Sequence, residues 1–225
     1  MAVYTVSEIQ NRISTVIDHS ATGPDSSTNE FAWRLKFMNR AYQEWGGAYD
    51  WESLRKEIFL GVTGVSQASI SLPADFKKFA LQPVLFGASS WTQGESWPEI
   101  KPEDRRMYSE TERYIYLLGG RENQTMIWHP GTLSSGASIM ISYFSFPTLL
   151  SSATDTVLMS DPEFLVERTV AYILETRSDP RYQQAESKAR EKLLQMVDEE
   201  NNRGYSLNDM VKNTEQVAGF RIGRD

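Results

Sequence analysis

The sequence predicts an α+β fold in which helices from both ends of the chain form one bundle and an antiparallel β region is inserted between them. Apolar residues recur with helical spacing near both termini, while short β-branched and aromatic runs broken by Gly, Ser and Pro fill the middle. A polar tail follows. We therefore expect a discontinuous helical domain of residues 1–50 and 160–204, an inserted β-rich domain of residues 51–159, and an extended C-terminal tail of residues 205–225.

The first two helices are each predicted to begin at a capping box. Thr5 precedes Glu8, and Ser27 precedes Glu30, at the spacing that lets each side chain satisfy a free amide at a helix start. Apolar residues then recur every three or four positions, so each helix has one face that needs a packing partner. The predicted stripes are Val6, Ile9, Ile13, Val16 and Ile17, and then Phe31, Leu35, Met38, Tyr42 and Trp45.

The second helix carries two further local signals. Glu30 and Arg34 are four residues apart with the acid first, which predicts an exposed ion pair on the helix surface. Gly46 and Gly47 are expected to end the helix, because glycine readily adopts the positive φ of a C-terminal cap.

The middle of the chain is predicted to contain six strands. Residues 89–98, which include Trp91 and Trp97, are interpreted as a loop, and a short helix is expected to start near Pro102. The predicted strands are residues 56–63, 68–72, 78–86, 113–118, 125–128 and 137–146.

Helical signals return after residue 159. Ser160 to Glu163 resembles another capping box, with a third helix expected to end near Arg177. Asp179-Pro180 then ends that helix and begins a fourth, which is predicted to continue to about residue 204. Residues 205–225 have only weak periodicity, which is typical of a tail.

Composition excludes several classes of function. The chain has no cysteine, and its two histidines, His19 and His129, are far apart in sequence, so most metal sites and catalytic triads are unavailable. A net charge of −7 argues against wrapping duplex DNA. No apolar run approaches the roughly 20 residues that span a bilayer, and the N-terminus does not resemble a secretory signal. We expect no cofactor, no metal and no membrane partner.

Candidates for chemistry are few, because nucleotide-binding and hydrolase motifs are absent. Glu99, Glu103 and Asp104 lie near the tryptophan-bearing segment and could form a glycosidase-like acid pair, although helix capping explains the last two. Trp91 and Trp97 could form the sugar platform of a carbohydrate-binding module, or could anchor a protein contact. We expect no catalytic residue.

Three segments, taken in their order and spacing, carry a resemblance to a known family. They are residues 37–51, with Phe-Met-Asn-Arg-Ala-Tyr-Gln-Glu-Trp and then Tyr-Asp-Trp; residues 70–76, Ile-Ser-Leu-Pro-Ala-Asp-Phe; and residues 163–180, from Glu-Phe-Leu-Val-Glu-Arg to Asp-Pro. Together they resemble the head-to-tail adaptor (connector) proteins of tailed bacteriophages, including the tail tubular protein A group.

The resemblance implies a structural protein of the virion neck, assembled in the host cytoplasm. Such adaptors form a ring, often of twelve copies, beneath the portal, where they extend the DNA channel and offer a platform for the tail. The implied partners are the portal protein, the tail nozzle or other tail proteins, and further copies of the chain. Double-stranded DNA would pass through the channel without sequence-specific binding.

The same resemblance suggests where the contacts lie. Family adaptors commonly grip the portal through terminal segments, so the tail is the expected anchor, and Trp91 and Trp97 are the expected contacts within the ring or with the tail nozzle. A head-completion protein, a tail terminator and an adaptor with cell-wall hydrolase activity remain alternatives. The anchor residues expected in the tail are Tyr205, Leu207, Met210, Val211, Phe220 and Ile222.

Overall fold

The structure has an α+β fold with antiparallel sheets, as the sequence predicts. Contacts divide the described residues into a helical unit of residues 4–45 and 149–203 and a β unit of residues 46–148. The predicted tail of residues 205–225 lies outside the described part of the chain. The computed structural model describes residues 4–62, 67–87, 90–109, 111–121, 123–129 and 136–203, and of residues 87, 90–95 and 203 it describes only the backbone.

The elements follow one another in the predicted alternation of helices, strands and helices. The helices are α1 (Val6–Asp18), α2 (Asn29–Ala48), α3 (Glu163–Thr176) and α4 (Tyr182–Arg203), with short 3-10 helices at Glu52–Leu54 and Pro102–Met107. The strands are β1 (Tyr4–Thr5), β2 (Arg55–Gly61), β3 (Ser69–Ser71), β4 (Phe76–Gly87), β5 (Ser90–Ser96), β6 (Tyr114–Leu118), β7 (Thr125–His129), β8 (Ser138–Ser145) and β9 (Thr156–Val157).

The helical unit is assembled from the two ends of the described chain. Helix α3 packs against both α1 and α4, and the short strands β1 and β9 pair antiparallel. The predicted stripe of α1 is buried except at Val16, which is 41% exposed. In α2, four of the five predicted stripe residues are buried, and Leu35 is half-buried. The apolar periodicity therefore identifies most of this core.

The first capping box is confirmed. The Glu8 N–H donates to Thr5 Oγ1 at 3.3 Å, and the Thr5 N–H donates to Glu8 Oε2 at 2.7 Å. These two bonds satisfy amides that a helix start would otherwise leave unpaired. They also hold the pKa of Glu8 below its usual value, chiefly through the backbone hydrogen bond of Thr5.

The two other predicted capping boxes are wrong. At α2 the Phe31 N–H donates to Thr28 Oγ1 at 3.2 Å, so the cap lies one residue after Ser27. At α3 the Glu163 N–H donates to Asp161 Oδ1 at 3.0 Å, in place of a bond to Ser160. In both cases a neighbouring side chain of similar chemistry reaches the free amides first.

The predicted helix end at Gly46-Gly47 is also wrong. Both glycines lie within α2, which continues to Ala48, and positive φ among described glycines occurs only at Gly119 and Gly136. Close packing requires Gly46 instead, because a Cβ there would lie 2.2 Å from Pro147 Cδ.

The β unit contains two antiparallel sheets that share one apolar core. The larger has the strand order β2-β8-β4-β5, and the smaller has the order β3-β7-β6. Fully buried side chains from both sheets meet between them, among them Phe76 and Ile141 of the larger sheet and Met126 of the smaller. All six predicted strands are present, with ends that differ by at most two residues.

The loop predicted for residues 89–98 is wrong. Residues 90–96 form strand β5, which pairs with β4 from Val84↔Ser96 to Gly87↔Ser90. The sequence of β5 is polar and contains a glycine, so pairing with a long neighbour determines its conformation more than its own propensity does.

Candidate functional site

The residues predicted to contact the portal, the tail nozzle or other copies do not lie together in the structure. All six anchor residues of the tail lie outside the described residues. The backbone of Trp91 lies in β5, and its side chain is outside the described part. Trp97 is 6% exposed and packs in the shared core of the two sheets. The interface role of the two tryptophans stays a prediction, and the burial of Trp97 does not favour it.

The face of the larger sheet opposite the shared core carries large exposed apolar side chains. Phe59 on β2 and Leu81 on β4 are each 56% exposed. The register places Phe59 opposite Met140 of β8, and Met140 opposite Val84 of β4, so these side chains share one face. The rings of Phe59 and Phe86 lie 6.1 Å apart, between centroids. We call Phe59, Leu81, Val84, Phe86 and Met140 the apolar sheet face.

Sequence analysis missed this surface, although β2 carries a signal for it. Ile58, Phe59 and Leu60 form a continuous apolar run in a strand. Successive side chains in a strand point to opposite faces, so a strand with one wet face should alternate. Ile58 and Leu60 pack against the core, and Phe59 points the other way. An uninterrupted run of this kind indicates that both faces are made to be covered.

A buried arginine joins the helices of the other unit. Arg34 is 4% exposed, and its guanidinium donates to Glu30 Oε1 at 2.7 Å, to Asp18 Oδ2 at 2.7 Å and to Ser14 Oγ at 2.8 Å. The predicted pair with Glu30 is therefore present, but its prediction as an exposed pair is wrong. Arg177 also lies within 3.8 Å of Asp18 and 3.7 Å of Glu30. One cluster thus joins α1, α2 and the end of α3.

A second polar cluster joins α2, α3 and α4. Glu44 Oε2 accepts hydrogen bonds from Arg168 Nε at 2.9 Å and from the Tyr172 hydroxyl at 2.6 Å. Arg168 also donates to Glu186 Oε1 at 3.3 Å. Burial and the hydrogen bond to Glu44 raise the pKa of Tyr172. Burial alone would lower the pKa of Arg168, but its pairing with Glu44 outweighs this effect and raises the pKa. The cluster fixes the relative positions of three helices.

The candidate acids do not form an evident catalytic pair. Partial burial of its carboxyl raises the pKa of Glu99, as a general acid would need, but the residue as a whole is exposed. Glu103 is exposed and Asp104 half-buried in the 3-10 helix at Pro102–Met107. Within the described ranges, no three histidines or acids come together as a metal site would require.

The comparison with protein families decides the identity of the chain. The family model for the SU10 adaptor protein matches residues 4–211. This chain belongs to the SU10 adaptor protein family. Membership confirms the coarser part of the resemblance: the protein is a phage adaptor, with a structural role in head-to-tail connection at the virion neck.

This SU10 adaptor family member has no match among curated proteins. Within the part of the chain that the structure describes, no helix has both the length and the apolar character needed to cross a bilayer. The family match extends from β1 through α4, so both units belong to the adaptor.

Proposed function

We propose that this protein assembles as a ring of twelve copies beneath the portal, extends the DNA channel and presents a platform to the tail, as tail tubular protein A-like adaptors do. Family membership supports a phage adaptor, and the apolar sheet face supports its assembly with further copies. Large apolar side chains exposed together on a chain of this kind mark a surface that another protein covers.

In this ring, the neighbouring copy covers the apolar sheet face. A ring is built from heterologous contacts, in which one surface of a copy meets a different surface of the next. Such a contact needs an apolar centre with a polar rim. The face provides Phe59 and Leu81 at its centre, and Lys78 and Glu57 lie near its ends. The apolar centre would therefore be dry only after assembly.

The portal contact belongs to the tail in this proposal. Residues 205–225 carry the apolar side chains Tyr205, Leu207, Met210, Val211, Phe220 and Ile222. DNA passes through the ring without sequence-specific binding, and a net charge of −7 fits a channel in which phosphates must slide.

Electron microscopy of the purified protein, alone and mixed with the portal protein of the same phage, tests the proposal. We expect rings stacked on portal rings. If the protein joins filled heads or tails but not the portal, it is a head-completion protein or a tail terminator instead.

The raised pKa of Glu99 is the one observation that favours an accessory cell-wall hydrolase. A zymogram decides this alternative. Clearing that disappears in Glu99→Gln would support hydrolysis, and the absence of clearing by the intact protein would exclude it.

A further inference from the structure

A cleft of about 530 Å³ opens on the β unit beside the 3-10 helix at Pro102–Met107. Its walls come from that helix and from strands β6 and β7. The volume lies within the range of about 300–1,000 Å³ that is usual for binding sites. None of the expected contact residues lies in it, so the proposed function leaves the cleft without a role.

Aromatic rings form the floor of the cleft. Tyr114 is buried, and the ring of His129 stacks on it, with 4.8 Å between centroids and 25° between planes. The Arg105 guanidinium lies over the ring of Tyr116 at 4.8 Å from its centroid, and it donates to the Tyr116 hydroxyl at 3.3 Å and to the Pro102 carbonyl at 2.8 Å. These contacts hold Arg105 in place before any ligand arrives.

The cleft is cationic on an acidic protein. Arg105 and Arg106 are both exposed, and neither has a carboxylate partner among the described residues. Glu103 is the one acid among the lining residues. Exposed guanidinium groups, one of them held over a tyrosine ring, favour a carboxylate or phosphate ligand, since the fork of donors matches either anion.

The shape and the charge favour an acidic protein segment over DNA. A cleft of this volume accepts a few side chains and is far smaller than a duplex. The net charge of −7 also opposes the approach of a polyanion. Tyrosine and arginine, by contrast, are among the residues enriched at the energetic centres of protein interfaces.

A complementary surface exists on the same chain. Asp198 and Glu199 are exposed near the C-terminal end of α4, where the helix dipole disfavours acids and favours an external cation. Asp198 has no cationic partner among the described side chains. A second copy of the chain therefore presents exposed carboxylates of the charge opposite to that of the cleft.

We propose that the cleft lined by Arg105, Arg106 and the stacked Tyr114–His129 pair binds the acidic end of α4, at Asp198 and Glu199, of a neighbouring copy. The inference rests on the proposed ring, since a contact between two different surfaces of identical chains is what a ring repeats. It adds an electrostatic contact, which sets the register of the copies, to the apolar one.

Charge exchange tests the contact. The double variant Arg105→Glu with Arg106→Glu places acids against acids, and Asp198→Lys with Glu199→Lys places cations against cations. We expect each variant alone to self-associate at least about tenfold more weakly than the intact chain in sedimentation or light scattering. All four residues are exposed, so the fold should survive, which circular dichroism checks.

Mixing the two variants in equal amounts provides the decisive result. In a mixture that alternates the two chains, every cleft again faces the opposite charge, so assembly should return to within about twofold of the intact chain. A matched control, Lys36→Glu with Arg190→Glu, changes charge equally at exposed positions outside the contact and should assemble normally.

The outcomes separate this inference from the proposed function. If the intact chain forms rings but the variants also do so, or if mixing fails to rescue them, the cleft contact is wrong while the ring stands. If the intact chain forms no ring even with the portal, both proposals fail. Duplex DNA binding that is lost in Arg105→Glu with Arg106→Glu would show that the cleft binds phosphate instead, and would overturn the inference.

Discussion

Gly46 lies directly against the ring of Pro147. A Cβ on Gly46 would come within 2.2 Å of Pro147 Cδ and 2.7 Å of its Cγ. Both distances are far below a normal contact between carbon atoms, and a proline ring is fixed to the backbone and cannot move aside. The neighbouring Gly47 has nothing within 4 Å of the same position. The two adjacent glycines therefore serve different purposes.

Gly46→Ala should destabilise the protein, whereas Gly47→Ala should not. The first change forces the backbone at Gly46 and Pro147 apart, which we expect to cost about 1–3 kcal/mol. The second replaces an exposed helical glycine and should stabilise by up to about 1 kcal/mol. Urea unfolding of both variants measures the difference. Equal stability of the two would contradict the close contact.

Arg34→Met should be strongly destabilising. The change removes the donor of three hydrogen bonds and leaves Ser14, which is 2% exposed, without this partner. Breaking a buried pair costs about 3–5 kcal/mol, but Asp18 and Glu30 are each about 40% exposed and can be rehydrated, so we expect about 2–3 kcal/mol.

Arg12→Met is the matched control for that change. Arg12 pairs with Glu163, but both side chains are 42% exposed, so its loss should cost less than about 1 kcal/mol. Thermal unfolding of the two variants makes the comparison. A similar loss in both would mean that the Arg34 cluster behaves as a surface pair.

Asp155 should make stability depend on acid pH. Its carboxylate accepts hydrogen bonds from the Ser152 hydroxyl and from the amides of Ser151 and Ser152, which hold its pKa well below the usual value. Because its pKa is lower in the folded than in the unfolded chain, the ionised carboxylate contributes to the free energy of unfolding at pH values above its unfolded pKa of about 4. This contribution is lost as the pH falls toward the pKa of the folded state.

The advantage of the intact chain over Asp155→Asn should accordingly be constant above pH 5 and shrink as pH falls from 4 to 2. Urea midpoints across this range measure it. A difference that does not change with pH would show that the charge of Asp155 plays no part.

Phe59→Ser with Leu81→Ser should weaken self-association without unfolding the chain. Each side chain is 56% exposed, so its loss removes little of the core, while burial of such groups in a contact is worth about 1.5 kcal/mol or more. We expect at least about tenfold weaker assembly. Val16→Ser removes an exposed side chain of α1 elsewhere and should have no effect. If the double variant forms normal rings, the apolar sheet face does not take part in the contact between copies.

Removal of residues 205–225 should leave the fold intact and abolish attachment to the portal. Every element of the described fold lies before residue 204, so the circular dichroism spectrum should retain its helical and β signals. A pull-down with the portal protein measures attachment. Retained binding would show that the portal contact lies elsewhere.

Local sequence signals predicted the elements well where the chain interacts with itself over a few residues. The Thr5–Glu8 capping box and the apolar stripe of α1 needed only their own helix. The predictions that are wrong concern residues whose environment is set by segments distant in the sequence. Arg34 has the spacing of an exposed pair, but α1 brings Asp18 and Ser14 around it. The Gly46-Gly47 pair is typical of a helix end, but Gly46 is needed because Pro147 leaves no room for a Cβ at this position.

The candidate surfaces were harder to predict than the fold. A strand such as β5 depends on its pairing with β4, which spacing within residues 90–96 does not reveal. The cleft likewise joins residues from a 3-10 helix, β6 and β7, so Arg105 and His129 are neighbours only in three dimensions. The Ile58–Leu60 run was the one available hint of an exposed apolar face.

Because α3 packs against α1, the order of protein synthesis has a consequence for this chain. The first two helices leave the ribosome before most of the β unit is synthesised. At the usual rate of translation, α3 follows α2 by roughly ten seconds. The inserted unit can therefore complete its own core while α1 still lacks the surface it packs on. A nascent chain can therefore complete the helical unit only after α3 has been synthesised.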